Sequence, residues 1–217
     1  MTKSIAVLGL GRYGMSFAKS MYAMGADVMA VDQDADKIRD FAGFCTAAVS
    51  ADISNEEEVL ALGLKNMDIV VTAMSRNLAA SIMAVSVAKE LGVPLVVAKS
   101  SSERMSSILK KVGADKVIVP EEDSGKRSAR ILSSDLLLDY FQVDGNLSMA
   151  EIRPQNGWIG KNLIDLDLRR KLKMNVIGMK KDGENWKFAD PFQNLDDGCR
   201  LLVAVEGNGL TDFIKQK

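Results

Sequence analysis

The stretch Ser4-Ile5-Ala6-Val7-Leu8-Gly9-Leu10-Gly11-Arg12-Tyr13-Gly14 decides the fold. Ile5 to Leu8 is an unbroken apolar strand. The glycines that follow give a tight turn, a close backbone approach to phosphate and close packing of the next helix. That helix starts with free N–H groups and the positive end of its dipole, which together favour an anion. Tyr13, Phe17, Met21 and Met24 recur at helical spacing, Gly25 stops the helix, and Asp27 to Val31 forms a second strand ending in Asp32-Gln33-Asp34. Asp32 lies roughly 20 residues beyond the glycine motif, where a carboxylate accepts hydrogen bonds from ribose hydroxyls. It would repel a 2′-phosphate, which argues against NADP. Gly9, Gly11, Gly14, Asp32 and Gln33 are therefore candidate cofactor-binding residues.

The alternation continues outward. A helix runs through Ile38 and Phe41, a strand covers Thr46 to Val49, and Ser54 with Glu57 reads as a capping box opening the next helix. Ile69 to Ala73 is a buried strand, Asn77 to Leu91 a helix broken by Gly92-Val93-Pro94, and Leu95 to Ala98 the fifth strand. Met105, Ile108, Leu109 and Val112 mark a helix ending at Gly113, and Val117 to Val119 is the sixth strand. Six strands alternating with helices make an α/β fold, a Rossmann-like doubly wound parallel sheet. From Glu122 a long helix carrying Ile131, Leu132, Asp135, Leu136 and Leu138 is expected to lead out of the sheet as a connector or dimerisation arm. Short β-type runs follow: Met149 to Ile152, Val176 to Met179, Lys187 to Ala189 and Leu201 to Val205. Asp182-Gly183 is a hairpin turn, and a helix signal sits at Asn162 to Leu168. The organisation is a nucleotide-binding domain over 1–120, a connecting helix over 121–140 and a small α+β domain over 141–217.

Bulk properties narrow the function. The 217 residues suffice for a nucleotide-binding domain plus a remainder too small for a large catalytic domain. A net charge of −1 gives no sign of a nucleic-acid surface. No membrane-length apolar run and no room for a signal peptide before the first strand lead to the expectation of a cytoplasmic protein. Cys45 and Cys199 stand apart, outside any metal-ligating spacing, and read as core residues. The chain has no histidine, which removes histidine acid–base work, Ser-His-Asp nucleophiles and His-ligated zinc.

Arginine inside the glycine motif, joined to a small β-rich second domain, resembles the regulator-of-K⁺-conductance (RCK/KTN) family, and within it the cytosolic subunits of Ktr/Trk potassium uptake systems. The resemblance covers the whole chain. It includes Ala51-Asp52-Ile53-Ser54, Ala73-Met74-Ser75-Arg76-Asn77, Val97-Ala98-Lys99, the run Gly113 to Glu121, and Leu166-Asp167-Leu168-Arg169. It implies that Arg12 senses a terminal phosphate, that Tyr13, Asp52 and Ile53 border the nucleotide, and that Ala73, Met74 and Ser75 line it at the end of the fourth strand. Taken alone, Asp52 reads equally as a helix-capping acid. Lys99 reaches a phosphate as a point charge. Glu121 matches an acid associated with a divalent cation shared between subunits, or is an ordinary helix N-terminal acid.

In the second domain the resemblance implies a cyclic di-AMP site at a two-fold interface, made by Ile164, Asp167, Arg169, Asn175, Val176 and Pro191. The basic run from Lys161 to Lys181 otherwise reads as a solvated face. The resemblance further implies a non-enzymatic regulatory subunit, a homodimer assembling into an octameric ring, held at the inner face of the membrane by an integral membrane potassium transporter. Asp32 suits the adenosine ribose of ATP, ADP, NAD or NADH, while Arg12 and Lys99 favour ATP and ADP. The alternative from the same fingerprint is an NAD(H)-dependent oxidoreductase. A third reading, a redox-sensing repressor that binds NADH, would need a winged-helix segment or a basic recognition helix, and neither is visible in the sequence.

Overall fold

A computed structural model describes residues 2–74 and 77–215. The chain divides into two compact units, Met1–Glu122 and Asp123–Lys217.

The first unit alternates strand and helix: β1 (Ser4–Leu8), α1 (Arg12–Ala23), β2 (Asp27–Asp32), α2 (Ala35–Phe41), β3 (Ala47–Ser50), α3 (Glu56–Ala61), β4 (Ile69–Thr72), α4 (Leu78–Glu90), β5 (Leu95–Lys99), α5 (Glu103–Val112) and β6 (Lys116–Ile118). The strands form one parallel sheet in the order β3-β2-β1-β4-β5-β6. The order reverses between β1 and β4, and in open α/β sheets ligands bind at the carboxyl ends of the strands at such a reversal. β1 is central, so both of its faces must be covered, and Ile5 to Leu8 are fully buried. Ile5 and Val7 face a core with Ala18, Val28 and Phe41 from the α1–α2 side. Ala6 and Leu8 face the opposite core with Val59, Val85 and Leu109 from α3, α4 and α5. Cys45 is buried and unpaired, as is Cys199 in the second unit.

The next helix, α6 (Pro120–Ile131), begins the exit from this unit; it has proline at its first position, where no N–H is needed. The second unit adds β7 (Leu137–Gln142), β8 (Leu147–Ile152), α7 (Leu163–Leu166), α8 (Leu168–Leu172), β9 (Met174–Lys181), β10 (Lys187–Phe188), β11 (Cys199–Glu206) and α9 (Gly209–Lys215). Its antiparallel sheet runs β10-β9-β11-β8-β7. Trp158, Leu172, Leu201, Val203 and Phe213 lie in its core.

Two expectations are corrected here. The helix leaving the sheet stops at Ile131, and Leu137 to Gln142, whose first residues were expected on that helix, are a strand. A register shift between Leu137 and Asp139 breaks the two-residue alternation, so the leucines of this segment do not show a strand period. The helix signal over 162–168 is in fact two short helices, because Asp167 turns left-handed at φ 47° between them.

Candidate functional site

The carboxyl ends of β1, β2, β4 and β5 and the turn after β3 surround a cleft of about 820 Å³. Its floor is the glycine turn. Gly9 sits at φ +100°, a conformation only glycine adopts readily, and donates its N–H to the Val31 carbonyl at 2.7 Å. A Cβ at Gly14 would lie 1.9 Å from the Gly9 carbonyl oxygen, so this glycine lets α1 sit against the turn. Gly11 differs from both, since a Cβ there would meet nothing within 4 Å. Protein packing therefore does not demand glycine at this position. What it secures is open space before the first turn of α1, which has neither a side-chain cap nor an acidic residue. A helix start left open in this way is an anion cradle.

Asp32 ends β2 and is buried. Its Oδ2 accepts from the Leu10 N–H at 2.7 Å and its Oδ1 from the Asp34 N–H at 3.0 Å, fixing the carboxylate at the rim of the cradle. Gln33 lines the cleft beside it, and so does Lys37, whose ammonium lies 3.3 Å from Asp32 Oδ1. Beside the end of β2, the turn after β3 supplies Asp52 and Ile53. The Asp52 carboxylate accepts from the Ser54 N–H at 2.9 Å and from the Ser54 hydroxyl, and these bonds hold it below the ordinary aspartate range. Asp52 is thus a turn residue and not a helix cap. Nor does Ser54 cap α3: the cap is Asn55, whose side chain accepts from the Glu57 N–H at 3.0 Å.

Ala73 and Met74 follow β4 and line the wall, Met74 packing over Gly9. Ser75, expected beside them, lies outside the described residues. Lys37, Ser54, Asn77 and Ala80 also line the cleft and were not among the expected site residues. Asn77 caps α4 by accepting from the Ala80 N–H at 3.0 Å. A helix starting at Asn77 was visible in sequence, whereas the cap it makes and its place in the cleft follow from the fold.

Arg12 and Lys99 also line the cleft. Arg12 is exposed and pairs with no carboxylate among the described residues. The Lys99 side chain is only 8% exposed; its ammonium is 2.6 Å from Glu121 Oε1, on the first turn of α6. Glu121, 67% exposed, is held below the ordinary glutamate range chiefly by that bond. The Lys99 ammonium is 5.8 Å from the centre of the Tyr13 ring, whose phenol burial pushes up. As to a metal at Glu121, no three His, Cys, Asp or Glu side chains converge among the described residues, and Glu121 is engaged by Lys99. The donors of one chain therefore do not make a divalent-cation site.

In the second unit, Arg169 lies exposed on α8 without a carboxylate partner among the described residues, while its neighbour Arg170 pairs with Asp167 at 2.9 Å. Ile164 on α7 is an exposed apolar side chain. Asn175 and Val176 follow at the start of β9, exposed and half-buried, and Pro191 is exposed after β10.

No helix among the described residues is long and apolar enough to cross a membrane. Residues 5–120 match the TrkA-N domain family. The chain is 38% identical over 184 residues to Ktr system potassium uptake protein C of Bacillus subtilis (strain 168), covering 85% of this chain and 83% of that one. It is 34% identical over 213 residues to Ktr system potassium uptake protein A of Vibrio alginolyticus, covering 98% and 97%. The solved GsuK RCK domain superposes over 100% of this chain with a TM-score of 0.69 at 14% identity, a likeness of fold. This chain spans 48% of that one. The glycine turn, the reversal in strand order and these matches together establish that the chain belongs to the TrkA-N family, as a KtrA/TrkA-like RCK protein.

Proposed function

We propose that the protein is a regulatory subunit of a Ktr/Trk-type potassium uptake system, and that it binds ATP or ADP in the cleft of its first unit. The observation that carries this reading is the open helix start at Gly11 to Arg12, with Asp32, Arg12 and Lys99 lining the same cleft. The residues fit such a nucleotide in order: Asp32 for the ribose hydroxyls, the first turn of α1 for the phosphates, Arg12 and Lys99 for the terminal charge. Its ligand acts by differential affinity for two arrangements of the subunits, not by turnover. The partner is an integral membrane potassium transporter, reached through homodimers assembled into an octameric ring. A divalent cation at Glu121 would need a second carboxylate from another subunit and release of Lys99. The absence of histidine from the sequence disfavours hydride-transfer chemistry.

Calorimetric titration with ATP, ADP and NADH tests the site. Asp32→Ala is expected to cost about 1.5–3 kcal/mol of nucleotide affinity, roughly ten- to a hundredfold, because a charged acceptor for the ribose is lost. Unchanged affinity in this variant would put the ligand elsewhere.

A second ligand, cyclic di-AMP, is proposed for the second unit, supported by the unpaired guanidinium of Arg169 and the exposed apolar Ile164 nearby in sequence. A two-fold symmetric ligand suits a two-fold interface, where both copies present the same residues. Arg169→Ala should weaken cyclic di-AMP binding by at least about tenfold, the value of one charge-assisted phosphate contact, and leave ADP affinity as it was. Absence of any heat with cyclic di-AMP in the unsubstituted protein would return the basic run to a solvated face.

A further inference from the structure

Lys37 was not foreseen as a site residue, yet its ammonium bridges the carboxylate that reads the ribose, 3.3 Å from Asp32 Oδ1 and 3.5 Å from Oδ2. The other acceptor capacity of that carboxylate is already drawn upon. The Leu10 N–H holds Oδ2 and the Asp34 N–H holds Oδ1, each at 3.0 Å or less. An ionised carboxylate offers about four lone-pair directions. Two backbone donors and an ammonium bridging both oxygens fill these four; sliding the ammonium onto one oxygen frees one direction, whereas a ribose presents two hydroxyls.

We infer that Lys37 is a specificity-determining residue of the cleft, an internal competitor that must leave Asp32 before a ribose can bind through both hydroxyls. This rests on the nucleotide reading given above. Leaving is cheap for Lys37: its side chain is 44% exposed, and Asp34 Oδ2, 3.8 Å away, stays within reach as an alternative partner. It is not cost-free, because the pair with the largely buried Asp32 is surrendered. A nucleotide with a single ribose hydroxyl on this edge needs only the direction freed when the ammonium slides onto one oxygen, and binds with Lys37 still paired to Asp32. Lys37 therefore narrows the preference for ribonucleotides over 2′-deoxyribonucleotides, and it does so without touching the base or the phosphates.

The experiment compares ADP with 2′-deoxy-ADP by calorimetry on the full-length protein, unsubstituted and as Lys37→Met and Lys37→Arg. Removing a positive charge also changes the attraction of the phosphates, but equally for both ligands, so the ratio of their affinities isolates the exchange. Lys37→Met should raise that ratio about two- to fivefold, the range expected for a partly exposed ion pair. Lys37→Arg keeps the competing cation and should leave the ratio close to that of the unsubstituted protein. An unchanged ratio in Lys37→Met overturns the inference, and a fall would mean that Lys37 itself holds the ribose. If neither ligand binds the unsubstituted protein, the nucleotide reading fails, and the inference fails with it. Binding of ADP with an unmoved ratio overturns the Lys37 role alone.

Discussion

Gly14→Ala is expected to destabilise the first unit by about 3 kcal/mol and to lower nucleotide affinity by at least about a hundredfold. The added methyl would lie 1.9 Å from the Gly9 carbonyl oxygen, a backbone atom that no side-chain rotation can clear. Gly9 cannot yield easily, because its N–H is bonded to Val31 and its φ of +100° is set by the turn. Either α1 lifts away from the turn or the turn deforms. In both cases the open N–H groups at the start of α1 move relative to Asp32. Loss of two N–H contacts to phosphate, at about 1.5 kcal/mol each, gives the hundredfold figure. Urea denaturation and calorimetry with ADP measure the two effects separately. Normal affinity in a destabilised variant would show that phosphate does not sit on the start of α1. Gly11→Ala is the informative contrast, since its methyl meets no protein atom and only a bound ligand can object to it.

The second large effect lies in the other unit. Gly209 opens α9, and a Cβ there would be 2.0 Å from the Leu172 carbonyl oxygen and 2.8 Å from Val205 Cγ1. The glycine is what brings α9 against the end of α8 and lets Phe213, fully buried, pack 5.3 Å from the Trp158 ring. Gly209→Ala should push α9 outward and cost about 3 kcal/mol, combining steric strain with partial exposure of an aromatic side chain. Two-unit unfolding followed by tryptophan fluorescence reads this, with ADP affinity in the first unit as the internal control. An unfolding midpoint equal to that of the unsubstituted protein would show that α9 relaxes without cost.

What could be read from sequence divides along a physical line. The glycine turn, Asp32 and the six-strand sheet were legible because each rests on short-range chemistry: a strand–turn–helix with fixed glycines, then apolar runs punctuated by Gly and Pro. The cap of α3 was misplaced by one residue, since Ser54 and Asn55 are both good caps and only the backbone decides between them. β7 was hidden because its bulge removes the alternation on which strand recognition depends. In the site, the residues on strand ends and those in the first turns of α1 and α6 (Arg12, Tyr13 and Glu121) were found, whereas Lys37 on α2 was not. Lys37 reaches Asp32 from the first turns of α2. Nothing in a linear spacing of five marks such a pair, which is local in sequence but made by the turn between strand and helix.

The central position of β1 has a consequence for how the chain is made. Its first backbone tie to the β4 side, from the Asp68 N–H to the Ser4 carbonyl, spans 64 positions, whereas β7 and β8 close a hairpin through Val143 and Leu147. At synthesis rates of about 5–20 residues per second, β1 waits roughly 3–13 s for the neighbour that completes it. During that interval the edge of β1 that β4 will later pair stays open, on a strand whose Ile5 to Leu8 are all apolar. The first unit is thus slow to close and open to mispairing while it is being synthesised, and the hairpin of the second unit can form almost as soon as it emerges.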